Sequence, residues 1–222
     1  MESRLHSKNV ASLTDRRNLK CHFLFVVMLL TGCNLFAQKL YVWCPQEQIS
    51  IPRQGFLEKE SVDLVIFDGR VLTKKSKVEC SSENTIRALT EYIKLTYPSA
   101  IINVLTSEQY YKDPEVGRIT IKIGISAYHA AFGADVKVGI GSVGGNFSYG
   151  VFPEGKWNAV TAYSIKIYDY RNNQEKRNTK DICKTASKPN MGGYRTAKSI
   201  LNLTYMEANQ EMLFFIDEIL MK

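Results

Sequence analysis

Val62-Asp63-Leu64-Val65-Ile66-Phe67-Asp68-Gly69 is the stretch on which the fold turns. Its first six residues are apolar and branched apart from one aspartate, which reads as a strand. Asp68-Gly69 behind such a run is the usual signal for a tight hairpin, here returning through Arg70–Thr73. The residues further on support a different path. Ser81 or Ser82 can cap a helix whose Ile86, Leu89 and Ile93 share one face and which stops before Pro98. Ala100–Leu105 then reads as a buried strand, and strand, helix and strand in that order make a crossover unit. Hairpin and crossover both stay open at this point.

Beyond residue 117 the period changes to two. Ile119, Ile121, Ile123 and Ile125 alternate within Arg118–Tyr128, and Ala134, Val136 and Val138 alternate within Phe132–Ile140. Phe147, Tyr149 and Val151 repeat the pattern after a glycine-rich turn. Trp157, Ala159, Tyr163, Ile165 and Ile167 face one way along a long strand. This is the pattern of an antiparallel meander. Residues 171–195 are polar, with seven basic and two acidic side chains, and read as a loop. A closing helix from about Thr196 carries Ala197, Leu201, Ala208, Met212, Phe215 and Ile219 as a core-facing stripe. Gln38–Trp43 adds a short strand at the start. The expected fold is a single α+β domain over 38–222. It has a mixed, largely antiparallel sheet, a crossover helix and a long C-terminal helix packed on it.

Residues 1–37 read as an export signal. Arg16, Arg17 and Lys20 precede the apolar run Phe23–Leu30, which is followed by small residues. That run is too short to span a bilayer. Two processing sites compete. Cleavage after Ala37 would start the mature chain at Gln38, an ending that resembles signal peptides of Bacteroidetes. Leu30-Thr31-Gly32-Cys33 resembles a lipobox, in which Cys33 is lipidated and becomes the first residue. Residues 1–37 hold five basic and two acidic side chains, so their loss lowers the net charge from +7 to +4. The basicity is therefore partly a targeting feature, and with export it argues against nucleic acid as a partner. Of 222 residues, 45% are hydrophobic and 23% charged, which excludes collagen-like and wholly disordered classes. Cys44, Cys80 and Cys183 remain in the mature chain; one pair can bridge, and the spacing does not choose which.

The chemistry-bearing residues are few. Gly139-Ile-Gly141-Ser-Val-Gly144 matches a dinucleotide fingerprint as a string, but no helix follows to receive a pyrophosphate, so no cofactor is expected. His129 is the one mature histidine. With Ser126 or Cys183 as nucleophile and Asp135 as acid it could form a hydrolytic set, though no nucleophile-elbow or papain-like motif surrounds them. Too few ligands group for a metal site. Asp68 lies at a strand's carboxyl end, where open α/β sheets place ligands, but also where turns place aspartate. Glu207 and Glu211 are one helical turn apart and read as a solvated face. Lys176, Arg177, Lys180, Lys184 and Lys188 form the strongest exposed feature, a basic loop that suits an acidic partner, anionic lipid or a cell-wall polymer, and equally a solvated loop. The alternating segment 132–152 has the aromatics and glycines of a membrane-inserting hairpin, although its strands are short for a barrel.

The element order from Val62 to Met221 resembles an envelope superfamily. It contains the curli-secretion lipoproteins, the lipoprotein activators of penicillin-binding proteins and exopolysaccharide-export lipoproteins. The lipobox at Cys33, the strand Val62-x-x-Val65-x-Phe67 and the Tyr168-Asp169-Tyr170 turn are consistent with it. The resemblance implies a strand-to-helix connection after Phe67 and a protein that binds, scaffolds or assembles without catalysis. The expected function is therefore that of a non-enzymatic exported envelope protein. Its partner would be an envelope protein or cell-wall polymer, or further copies of itself in a homo-oligomer, with membrane attachment only through an N-terminal lipid. A small secreted hydrolase using His129 and a pore subunit built on 132–152 are the rival readings.

Overall fold

The computed structural model describes residues 39–46, 50–72, 75–133, 155–171 and 176–221. Within them, seven strands form one sheet: β1 (Leu40–Val42), β2 (Ser61–Asp68), β3 (Lys77–Val78), β4 (Ile101–Leu105), β5 (Ile119–Phe132), β6 (Lys156–Asp169) and β7 (Lys176–Pro189). Two helices accompany it, α1 (Ser82–Thr96) and α2 (Tyr194–Leu220), with a short 3-10 turn at Ser107–Tyr111. The architecture is the expected α+β domain with a long C-terminal helix.

β5 is the spine of the sheet. One of its edges pairs with β6 from Ile119↔Asp169 to Phe132↔Trp157, antiparallel. The other edge is shared: β2 runs parallel to Ile119–Ile125, and β1 runs antiparallel to Ala130 and Ala131. β4 lies outside β2, parallel to it, and β3 lies outside β1. A bulge between Ile125 and Ala127 resets the alternation. Before it Ile119, Ile121, Ile123 and Ile125 enter the main core; after it Tyr128 and Ala130 do. The opposite face holds a smaller cluster of Ala127, Val160 and Ala162.

The crossover wins over the hairpin after Phe67. β2 ends at Asp68, and the chain passes through β3 into α1 before returning as β4, parallel to β2. The physical reason lies two residues beyond the strand. Asp68 accepts hydrogen bonds from the Arg70 backbone N–H (3.2 Å), Nε (2.8 Å) and Nη2 (2.6 Å). The Asp-Gly dipeptide is thus consumed in a side-chain clamp that stops the strand without reversing it. Ser81 caps α1 by accepting from the Asn84 N–H at 3.1 Å, and Leu89 and Ile93 are buried on its inner face.

The basic segment read as a loop is largely a strand. β7 pairs with β6 over the whole of Lys176–Pro189. Only Ile182 in it is buried, with Ala186 packed partly against the core, which is too little to give a period-two signal. α2 packs its buried face, which includes Ala197, Leu201, Ala208, Met212 and Phe215, on β6 and β7. At its far end Asp217 receives hydrogen bonds from Arg53 and from the Tyr97 hydroxyl, tying the segment before β2 to both helices.

Cys44 and Cys80 form a disulfide, and Cys183 lies outside it and is exposed. The bridge joins the segment after β1 to the residue before the α1 cap. Closing a loop of 36 residues in the unfolded chain is worth about 4 kcal/mol in the chain-entropy account. The double variant Cys44→Ser/Cys80→Ser is expected to lower unfolding stability by roughly that amount, measured by urea titration against the oxidised chain.

Candidate functional site: a cationic edge strand and two aspartate clamps

β7 is hydrogen-bonded to β6 on one side, and among the described residues no strand pairs with its other edge. Residues of even number, with buried Ile182, face α2. Lys180 and Lys184 both reach the Glu211 carboxylate from there, at 2.9 Å and 2.7 Å. The hydrogen bond from Lys184, with that from Lys180, outweighs partial burial and holds the Glu211 carboxyl below its usual range. Arg177 turns to the other face, over the Tyr168 ring at 5.6 Å. Lys176 is in register with Asp169, and Lys188 with Trp157 near the end of the strand. The five cations of the sequence analysis are thus on one strand but divided between two faces, and one carboxylate on α2 serves two of them. Glu211, read as solvated, was missed as their counter-ion because its partners are distant in sequence.

The other candidate residues do not assemble. His129 and Ser126 are buried on the same strand, and Cys183 is exposed two strands away. His129 pairs with Val160, which pairs in turn with Thr185, whereas Cys183 pairs with Ala162. Two strand spacings and one two-residue step separate His129 from Cys183 by roughly 12 Å, and three residues of strand separate it from Ser126 by roughly 10 Å. Neither is within hydrogen-bond reach. Burial, assisted by the nearby Arg70 charge, lowers the His129 pKa to about 4, so the imidazole is neutral at physiological pH. Asp135, the glycine string 139–144 and most of the 132–152 segment lie outside the described residues, as does Cys33. Among the described residues no three metal-ligating side chains come together, and no helix is long and apolar enough to cross a membrane.

Two features were not read from the sequence. The first is a repeated Asp-x-Arg clamp. Asp169 accepts from the Arg171 backbone N–H (3.1 Å), Nε (2.9 Å) and Nη2 (2.7 Å), the same three bonds that Asp68 takes from Arg70. The Asp68–Arg70 pair is buried, with 7% and 3% side-chain exposure, while Asp169–Arg171 is partly open. Burial pushes the Asp68 carboxyl up, but the bonds and charge of Arg70, with a hydrogen bond from Ser82, hold it below its usual range. The second is Lys122, buried on the face opposite the helices. Its ammonium donates to the carbonyls of Gln109, Tyr110 and Lys112, closing the 3-10 turn against the sheet. Two adjoining hollows of about 310 and 430 Å³ also lie where the Trp43–Gln46 segment meets the first turns of α2. They share Gln46, Lys198 and Asn202.

No family model matches this chain, and no curated protein does. Among solved structures, the hypothetical protein CT253 of Chlamydia trachomatis is similar over 72% of this chain and 96% of its own, at 10% identity and a TM-score of 0.41. The lipoprotein GNA1162 of Neisseria meningitidis is similar over 68% and 99%, at 8% identity and TM-score 0.34. A Helicobacter pylori homolog of a neuraminyllactose-binding hemagglutinin is similar over 78% and 91%, at 10% identity and TM-score 0.33. No function is carried from them to this chain.

The clamps and the histidine give opposite-sized and pH-dependent outcomes. Asp68→Asn leaves the Arg70 charge buried and unpaired and is expected to cost about 3–5 kcal/mol, against about 1 kcal/mol or less for Asp169→Asn. Paired denaturation curves measure both. A histidine whose folded pKa is depressed is protonated first in the unfolded chain. Stability is therefore expected to fall as pH drops from about 6.5 towards 4, and His129→Leu should flatten that slope in pH-dependent melting.

Proposed function

We propose that this chain is an exported bacterial envelope protein that acts by binding an anionic cell-wall polymer or envelope protein, and that it does not turn over a substrate. The observation that carries the reading is β7: five cations and one acidic residue on an edge strand left open among the described residues, with one carboxylate of α2 shared between two of the cations. A strand of this kind presents fixed positive charge on a rigid backbone, which suits an extended polyanion. The Cys44–Cys80 bridge supports export, because such bonds persist in oxidising compartments. The basic residues ahead of Phe23–Leu30 support it from the sequence side. Cys33 as a lipid anchor and Gln38 as a free start remain the two forms of the exported chain.

The test is co-sedimentation of the full chain with purified sacculi, alongside crosslinking in envelope fractions. Lys176→Glu, Arg177→Glu and Lys188→Glu together are expected to weaken sedimentation about tenfold or more, and added salt to weaken that of the parent. Binding that survives the triple charge reversal would overturn the assignment to β7. A chain that neither sediments nor crosslinks to an envelope component would overturn the binding function itself. Intact-mass measurement of the exported protein distinguishes a lipid-bearing Cys33 start from Gln38.

A further inference from the structure

The sheet has a second open edge of contrary character. Among the described residues β4, Ile101-Ile102-Asn103-Val104-Leu105, pairs only with β2, and it carries no charge, proline or bulge. Ile101, Val104 and Leu105 are 57%, 47% and 37% exposed. Edge strands of soluble proteins are ordinarily guarded by charge or irregularity, because bare backbone donors and acceptors recruit other strands. β7 has such a guard; β4 has none. We propose that β4 is a self-association edge, on which a second copy of this chain adds its own β4 antiparallel about a two-fold axis.

The backbone sets the register. The Ile101 N–H bonds inward to the Glu60 carbonyl, so Ile101, Asn103 and Leu105 direct their backbone groups at β2, while Ile102 and Val104 direct theirs outward. A two-fold axis at Asn103 then places Ile102 of one copy opposite Val104 of the other, and both members of that pair have the outward groups a hydrogen-bonded antiparallel pair needs. Ile101 meets Leu105 on the face away from the helices, and Asn103 meets Asn103. Every facing pair is neutral, and the aliphatics meet aliphatics. β7 is excluded from the same arrangement. An antiparallel two-fold about Ile182 would set Lys180 against Lys184 and Lys176 against Lys188, and like charges directly opposed are destabilising. Pairing β7 of one copy on β4 of the next would lay lysines along an aliphatic strand, with no acidic residue within β4 to receive them.

This dimer goes beyond the envelope-binding reading and does not depend on it, since it concerns the folded domain whatever the chain's address. At the two-fold axis the Asn103 Cα atoms face each other in a non-hydrogen-bonded pair, about 4.5 Å apart, within disulfide range. In a Cys183→Ser background, Asn103→Cys is therefore expected to form a covalent dimer under mild oxidation. Val104→Lys, at a half-exposed position, should leave far-UV circular dichroism and melting unchanged while weakening self-association about tenfold or more by sedimentation velocity. A purified parent chain that sediments as a monomer up to about 100 µM would overturn the proposal. So would a dimer that Val104→Lys does not weaken, or one in which Asn103→Cys forms no covalent link.

Discussion

The structure depends on β5 having both edges occupied and both faces covered for most of its length. A strand in that position can hold no unpaired backbone group, because each would be buried away from water. Its fourteen residues therefore demand fourteen residues of β6 on one side and two separate strands, β2 and β1, on the other. The bulge at Ser126 follows from this division. It lets one strand present isoleucines to the core beside β2 and then Tyr128 and Ala130 beside β1. The helices are placed by the same requirement, since the core side of β5 must be sealed by α2, with α1 covering β2.

The two Asp-x-Arg clamps bracket that spine. Asp68 stands opposite Ile125 and Asp169 opposite Ile119, so they sit at the two limits of the segment in which β5 is flanked by both β2 and β6. Each clamp satisfies the carboxylate within three residues of its own strand end. The following chain is then free to leave in whatever direction its next element requires, across the sheet after β2 and into the β6–β7 connection after β6. Their chemistry is the same and their energetics are not, because one guanidinium is sealed from solvent and the other is shared with Glu60 near the surface.

Much of this was legible in the residues. The isoleucine alternation of 119–125, the one-sided set Trp157 to Ile167 and the stripe of the closing helix read correctly because each has a buried face against a polar one. Ser81 and Pro98 marked the ends of α1 for reasons of backbone chemistry alone. Two elements were not legible, for opposite causes. Asp68-Gly69 is a local hairpin signal overridden by a side-chain contact with Arg70, and local turn rules do not weigh the residue two positions on. β7 has a single buried residue, so its identity as a strand comes from β6 needing a neighbour, which is a non-local demand. The candidate site suffered the same way: the five cations were visible, but their division between two faces and the bridging Glu211 exist only once β7 and α2 are packed together.

The bonding of β7 has a consequence for motion. Among the described residues its backbone is tied along one side, and Ile182 is its one buried side chain, whereas β5 is held on two edges and two faces. The free energy needed to open the sheet is therefore graded across its width, lowest at β7 and rising to that of global unfolding at β5. Amide protons of the residues from Lys176 to Lys188 should exchange with solvent through local detachment that leaves the spine intact. Glu211, gripping two lysines that flank Ile182 on one face of the strand, is the latch on that detachment, so a helix side chain bears on the rate at which this edge breathes.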